Sequence, residues 1–246
     1  MKRKSLACML LGMLLVGCAP TARRHDYALG NPSEAPDSLK AKATFISIAP
    51  DGSEEKLSGV LFAVPGKRYR LELSASLVGA ATLLWQEEAW TLLLPTEEKY
   101  LRGKGYEIRM AGTLLTGIDV RQMAGLFWGQ LLPLDYQAAE KRALPEGGFE
   151  LSWEPSIGVR YLAQLDAKGW VKTVEKIQAG KPVMAVRYGE ASEQEGLALP
   201  AYAVFSRDSQ DFLKVEVKSV DTRAKWGSGV WRLAVPGDYS PWPGSI

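Results

Sequence analysis

From about residue 40 onward, turn residues interrupt the chain roughly every 8–12 positions, and short alternating runs lie between them. That rhythm constrains the fold more than any other feature, because side chains on a strand repeat with a period of two and no long helix fits between the breaks. Thr44-Phe45-Ile46-Ser47-Ile48 ends at the turn Pro50-Asp51-Gly52. Leu57 to Val64 and Lys67 to Ala75 meet across Pro65-Gly66, and Tyr69, Leu71 and Leu73 alternate with Arg68, Arg70 and Glu72. Ala81–Gln86 and Ala89–Leu94 flank Glu87-Glu88. Further runs follow at Phe149–Trp153, Val159–Leu165, Gly169–Ile177, Pro182–Tyr188, Ala198–Ser206, Phe212–Val220 and Gly229–Val235. In Phe212–Val220, Leu213, Val215 and Val217 oppose Lys214, Glu216 and Lys218, the pattern of a strand with one buried face. The expectation is a mainly β chain, an antiparallel meander bent into a sandwich or barrel.

One segment breaks this rhythm. Asp119 is placed to cap a helix, with Gln122 three residues on and Pro133 beyond its end. Between them Val120, Met123, Ala124, Phe127, Trp128 and Leu131 follow the spacing of one helical face. A second short helix is expected over Asp135–Ala143. The apolar face fits a plug on the open side of the sheet, and its Met/Phe/Trp composition also fits a movable lid against acyl chains.

The N-terminus has a separate purpose. Lys2, Arg3 and Lys4 precede the apolar stretch Ser5–Gly17, which is shorter than the ~20 residues a membrane span needs and has the form of a secretory signal. Residues 18–39 are rich in Pro, Asn, Ser and charge and read as a flexible tether. The sequence has 30 basic and 28 acidic side chains; with the three leader cations removed the remainder is close to neutral, so no basic excess is left to hold nucleic acid. Both cysteines, Cys8 and Cys18, and the single histidine, His25, precede residue 26. The body beyond therefore has no disulfide, no Cys/His metal site and no histidine- or thiol-based nucleophilic machinery.

Other signals lead nowhere catalytic. Gly103-Lys104-Gly105 lacks the remaining glycines of a nucleotide loop. Glu87-Glu88 and Glu97-Glu98 are turn carboxylates without an apolar pocket nearby in sequence. The reading is a binding protein, not an enzyme, with no cofactor and no metal.

Leu15-Val16-Gly17-Cys18 resembles a bacterial lipobox. With it, Thr44–Ile48, Leu57–Leu61, Pro65–Leu73, Leu77-Val78-Gly79, Trp90–Pro95, Asp119–Leu131, Val159–Leu165, Gly169–Lys172 and Leu199-Pro200 resemble the LolA/LolB superfamily, and in organisation its lipidated, LolB-like outer-membrane members. The resemblance implies an open half-barrel of about eleven antiparallel strands over residues 40–236, with a helical lid on its apolar concave face. It implies acylation at Cys18, and Ala19 after it implies the outer membrane, facing the periplasm. Val120, Met123, Phe127, Trp128 and Leu131 would line the lid and cavity, and Leu77 and Val78 would occupy a loop that assists delivery to the membrane. The implied partners are acyl chains of lipids or lipoproteins and a soluble periplasmic carrier, bound by a monomer, and the implied role is localisation of that cargo to the outer membrane. Residues 237–246, a tail with Tyr239, Pro241, Trp242 and Pro243, and the stretch Glu190–Gly196 depart from the pattern. A structural or regulatory lipoprotein that docks a protein partner through a sheet edge or this tail is the alternative. A large apolar space beneath the helix would favour lipid binding, and a filled core there the alternative.

Overall fold

The computed structural model describes residues 35–75, 78–108, 117–132, 136 and 139–243. The leader, Cys18, most of the tether, Leu77, Pro133 and Asp135 lie outside the described residues. Six strands come first: β1 (Leu39–Ile48), β2 (Glu54–Val64), β3 (Arg68–Ala75), β4 (Val78–Gln86), β5 (Ala89–Leu94) and β6 (Lys99–Lys104). Then follow helix α1 (Val120–Gly125), β7 (Glu140–Ala143), β8 (Phe149–Ser156), β9 (Val159–Leu165), β10 (Val171–Gln178) and β11 (Lys181–Tyr188). β12 (Ala191–Gln194), β13 (Leu197–Pro200), β14 (Tyr202–Arg207), β15 (Gln210–Asp221) and β16 (Ser240–Pro241) complete the chain.

Fourteen of these strands form one open sheet in the order β16-β6-β5-β4-β3-β2-β1-β15-β14-β11-β10-β9-β8-β7, where the family resemblance implies about eleven. β12 and β13 make a separate hairpin. The neighbours are antiparallel except β16, which runs parallel to β6. Two meanders therefore meet in the middle, where β1 pairs with β15 from Lys40↔Asp221 to Ser47↔Leu213. The chain that links them leaves one edge of the sheet at β6 and re-enters at the other edge with β7.

One face of the sheet carries the core. Leu39, Ala41, Ala43 and Phe45 on β1, Leu57, Leu61 and Ala63 on β2, and Tyr69, Leu71 and Leu73 on β3 are all buried. Across the middle, Leu213, Val215 and Val217 of β15 and Ala203 and Phe205 of β14 continue the layer. Gly59 is required here: a side-chain carbon on it would lie 2.3 Å from the Phe45 ring. Four hairpin turns, at 87–88, 179–180, 195–196 and 208–209, hold both central residues at positive φ. These are type I′ turns, whose twist matches the strands they join. Glu87 and Glu88 occupy such positions without the Asn or Gly that the turn favours.

Several elements differ from the sequence reading, each for a physical reason. The helix stops at Gly125, six residues long, instead of reaching Leu131. Its end folds back so that Gln130 N–H donates to the Gly125 carbonyl at 3.0 Å, and Gly129 sits at φ +80° against the Ala198 carbonyl, a place no other residue fits. Residues 140–143, expected to be helical, form the exposed edge strand β7, whose Glu140, Lys141 and Arg142 discourage further pairing. The run Ala198–Ser206 divides into β13 and β14, because Ala201 leaves the hairpin to enter the main sheet. Gly229–Val235 is not a strand; Ser228–Trp231 is a 3-10 turn. Glu190–Gly196 supplies β12 and the tip of its hairpin.

Beyond β15 the tail crosses the outer face. Arg70 Nη1 donates to the carbonyls of Val230 and Arg232, both at 3.0 Å, while its Nε donates to Glu72 at 2.7 Å. Phe62 meets Trp226 edge-on at 5.6 Å, and the Arg68 guanidinium lies over the Trp231 ring at 4.4 Å. The tail ends as β16 on β6, where Ser240 N–H donates to Glu98 O and Trp242 N–H to Tyr100 O. An edge that would otherwise be open to other strands is thus closed from within the chain.

Candidate functional site

The described residues of the link from β6 to β7 lie against the core face of the sheet, and their composition suits that place. Ile108, Ile118, Val120, Met123, Ala124, Leu126, Phe127, Trp128, Leu131 and Leu132 are all buried. A short antiparallel clasp starts it: Val120 N–H donates to Tyr106 O at 2.8 Å, Gly117 N–H to Ile108 O at 2.7 Å, and Glu107 bridges Asp119. Asp119 then caps α1, its carboxylate accepting from Arg121 N–H at 2.8 Å. Gln122 does not complete the capping box; its Nε2 donates to the Tyr188 hydroxyl at 3.3 Å.

Tyr188 pins the far end. Its hydroxyl donates to the Leu131 carbonyl at 3.0 Å, and complete burial pushes its pKa far above the ordinary phenol value. A column of rings fastens the other side. Trp128 stacks on Tyr69 at 5.7 Å, Tyr69 on Trp85 at 5.0 Å, and Trp85 leans on Tyr106 at 5.4 Å. Arg121 closes the column 3.6 Å above the Tyr106 ring. Each polar edge in it is matched: Gly66 N–H donates to Tyr69, Trp85 Nε1–H donates to Gly105 O, and Tyr106 O–H donates to Glu88 at 3.0 Å. Desolvation raises the Tyr69 pKa, so the phenol remains protonated in the stack.

Val120, Met123, Phe127, Trp128 and Leu131 are therefore brought together against the sheet, although only Val120 and Met123 belong to α1. Among the described residues, these side chains pack into one apolar core with the sheet. Beside the link's first turn, a cavity of about 520 Å³ opens between α1 and strands β8–β11. Arg121, Gln122, Tyr161, Lys176, Met184 and Val186 give it a mixed lining. Lys176 pairs with Glu107 at 3.4 Å and Arg121 with Asp119 at 2.5 Å. Val78 is 59% exposed where β4 leaves the hairpin with β3. Its proposed companion Leu77, and the lipidation site Cys18, lie outside the described residues.

Sequence reasoning missed the ring column and the Tyr188 pin. Tyr69↔Trp85 and Trp85↔Trp90 are register pairs, and the only sequence signal was an aromatic on the core face of each strand. Gly103 has its explanation here too: a side chain on it would strike the Trp90 indole at 2.2 Å, so it serves ring packing and not phosphate binding. Among the described residues, no three His, Cys, Asp or Glu side chains gather as metal ligands.

No protein-family model matches the sequence, and no curated protein matches it. The fold, however, is known. A LolA superfamily protein from Nitrosomonas europaea aligns with a TM-score of 0.56 at 13% identity, covering 85% of this chain and 94% of its own. A DUF1329 family protein from Desulfovibrio piger gives 0.59 at 11%, covering 82% and 92%. A domain from Vibrio parahaemolyticus, described as an outer membrane lipoprotein-sorting protein, gives 0.55 at 10%, covering 79% and 88%. The open sheet with its described link packed on the core face therefore shares its fold with these structures.

Proposed function

We propose that this protein is a lipoprotein anchored through acylated Cys18 in the outer membrane, which takes acyl chains of lipids or lipoproteins onto its concave face and assists their localisation. Residues 1–17 are the signal, 18–39 the tether, 40–236 the binding domain and 237–246 its closing tail. The observation that carries the reading is the apolar link across the concave face, a covering made of side chains that an acyl chain can replace. Returning Val120, Met123, Phe127, Trp128 and Leu131 to water costs roughly 7–15 kcal/mol at 1.5–3 kcal/mol each. A chain of about sixteen methylenes contributes roughly 13 kcal/mol on burial. The two are of the same size, so exchange is nearly balanced and the bilayer's own affinity for the chain decides the direction of transfer. No covalent step is needed. Cargo would come from a soluble periplasmic carrier, and Val78, with Leu77 beside it in sequence, would touch the membrane at release.

The test is mass spectrometry of the full-length protein after mild extraction from its native membrane. Retained acylated species, displaced by added fatty acid, support the reading. A protein that never retains lipid and never takes up fatty acid overturns it. The packing of the link's described side chains into the core of the sheet is the observation that favours the second reading, a structural or regulatory envelope lipoprotein; loss of a protein partner on deleting residues 237–246, with lipid uptake unchanged, would select it.

A further inference from the structure

A second recess lies on the opposite face of the sheet, where the tail crosses the rim at which β1 begins. Register fixes its floor: Leu39 pairs with Ala63, Val64 with Arg68, and Arg68 with Gln86, so these ends of β1 to β4 lie in one row. The tail forms the other wall, giving an open space of about 690 Å³. Arg68, Lys225 and Arg232 line it, together with Trp226 and Trp231, and Ser38, Gln86 and Ser228 add neutral hydrogen-bonding groups. No carboxylate lines the recess. Among the described residues, none of the three cations forms an ion pair. This is unlike Arg70 next to it, which is taken by Glu72 and two tail carbonyls.

Three cations lining one recess that holds no carboxylate repel one another, and an anion bound there reduces that repulsion. Two of them are arginines, whose planar forks match the paired oxygens of a phosphate. Trp231 already holds the Arg68 guanidinium against its ring, which fixes the fork's direction, and Trp226 meets Trp231 at 6.1 Å to close the wall. Ser38 places the recess beside the residue where the tether enters the domain. Tryptophan with basic side chains at such a point is the composition found where a protein meets a charged membrane surface.

We propose that this recess binds a phosphate group, as carried by an anionic phospholipid headgroup. It is distinct from the concave face and does not depend on acyl-chain binding there. The test titrates full-length protein in neutral-detergent micelles, by calorimetry, with inorganic phosphate in one arm and short-chain phosphatidylglycerol in the other. Saturable binding of either probe is expected, weaker by about fivefold for each cation removed and weaker still with added salt. Lys225→Gln combined with Arg232→Gln, both at exposed tail positions, should lower affinity; Lys181→Gln, an exposed cation at the opposite rim, should not. Binding of the lipid beyond that of phosphate assigns the site to a headgroup, and equal binding assigns it to a soluble phosphate. Absence of binding in both arms, or binding that the double variant keeps, overturns the proposal, and circular dichroism confirms that the variant is folded.

Discussion

Two non-strand segments cover this sheet, one on each face, and they are held by opposite means. The inner link is apolar where it is buried, from Met123 to Gly129 and at Leu131 and Leu132, and it is fastened by the ring column and one tyrosine pin. The outer tail over residues 222–243 is at best half-buried, and its grip is polar: one arginine on two carbonyls, a cation over an indole, and two backbone bonds at the edge. Hydrophobic covering is strong but has no direction, so an apolar ligand can take its place. Directional polar covering resists such exchange but comes apart when one donor is lost. Under the proposed function the inner face would serve exchange and the outer one closure.

The largest effect should come from the inner covering. Phe127→Ala removes a fully buried ring and should destabilise the protein by about 3–5 kcal/mol in denaturant unfolding. Phe127→Asp is worse, because it also buries a charge, so it will not leave the β-domain intact. A loss below about 1 kcal/mol would mean the inner link is already loose and the contrast with the tail is false. Next comes the outer clamp. Arg70→Ala deletes the donor to both tail carbonyls and should cost about 2 kcal/mol, with proteolysis beginning in residues 222–243. Cleavage elsewhere, with the tail still protected, would show that the indole contacts alone suffice. Tyr188→Phe leaves the buried Leu131 carbonyl unpaired and should cost about 1–2 kcal/mol, while raising fatty-acid uptake by loosening the link. Unchanged uptake would remove the pin from any role in exchange.

What the sequence disclosed follows this same division. β9 spans Val159–Leu165 as its alternation indicates, and Val120, Met123, Phe127, Trp128 and Leu131 all share the buried side that the helical spacing required. Burial was legible because hydrophobicity is local information. Path was not: Gly125 and Gly129 end the helix through contacts with Gln130 and Ala198, which only the folded chain brings near. β6 was invisible because Leu101 is its single buried residue, and the tail's Val230 and Trp231 looked like strand while serving as a carbonyl acceptor and a cation platform. The ring column needed the register of β3 on β4 and the placing of Tyr106 and Trp128 beside it, which no window of sequence contains.

The smallest effect belongs to the outer face of β15, where polar closure takes its mildest form. Glu216 accepts from Lys214 at 2.8 Å and Lys218 at 2.7 Å, and these hydrogen bonds hold its carboxyl at about 2 against an ordinary 4.5. Because the folded-state value is depressed, the carboxylate contributes stability above about pH 4.5, and that contribution fades as pH falls toward about 2. The ladder is solvent-accessible, so the contribution stays below about 1 kcal/mol and shrinks further in salt. Lys214→Gln combined with Lys218→Gln removes both donors. Thermal unfolding of the two proteins should show a constant small gap from neutral pH to about 4.5, narrowing below it. A gap that stays constant down to pH 2 would mean that the lysines act through packing over the strand and not through charge, and the outer face would then resemble the inner one more than its chemistry suggests.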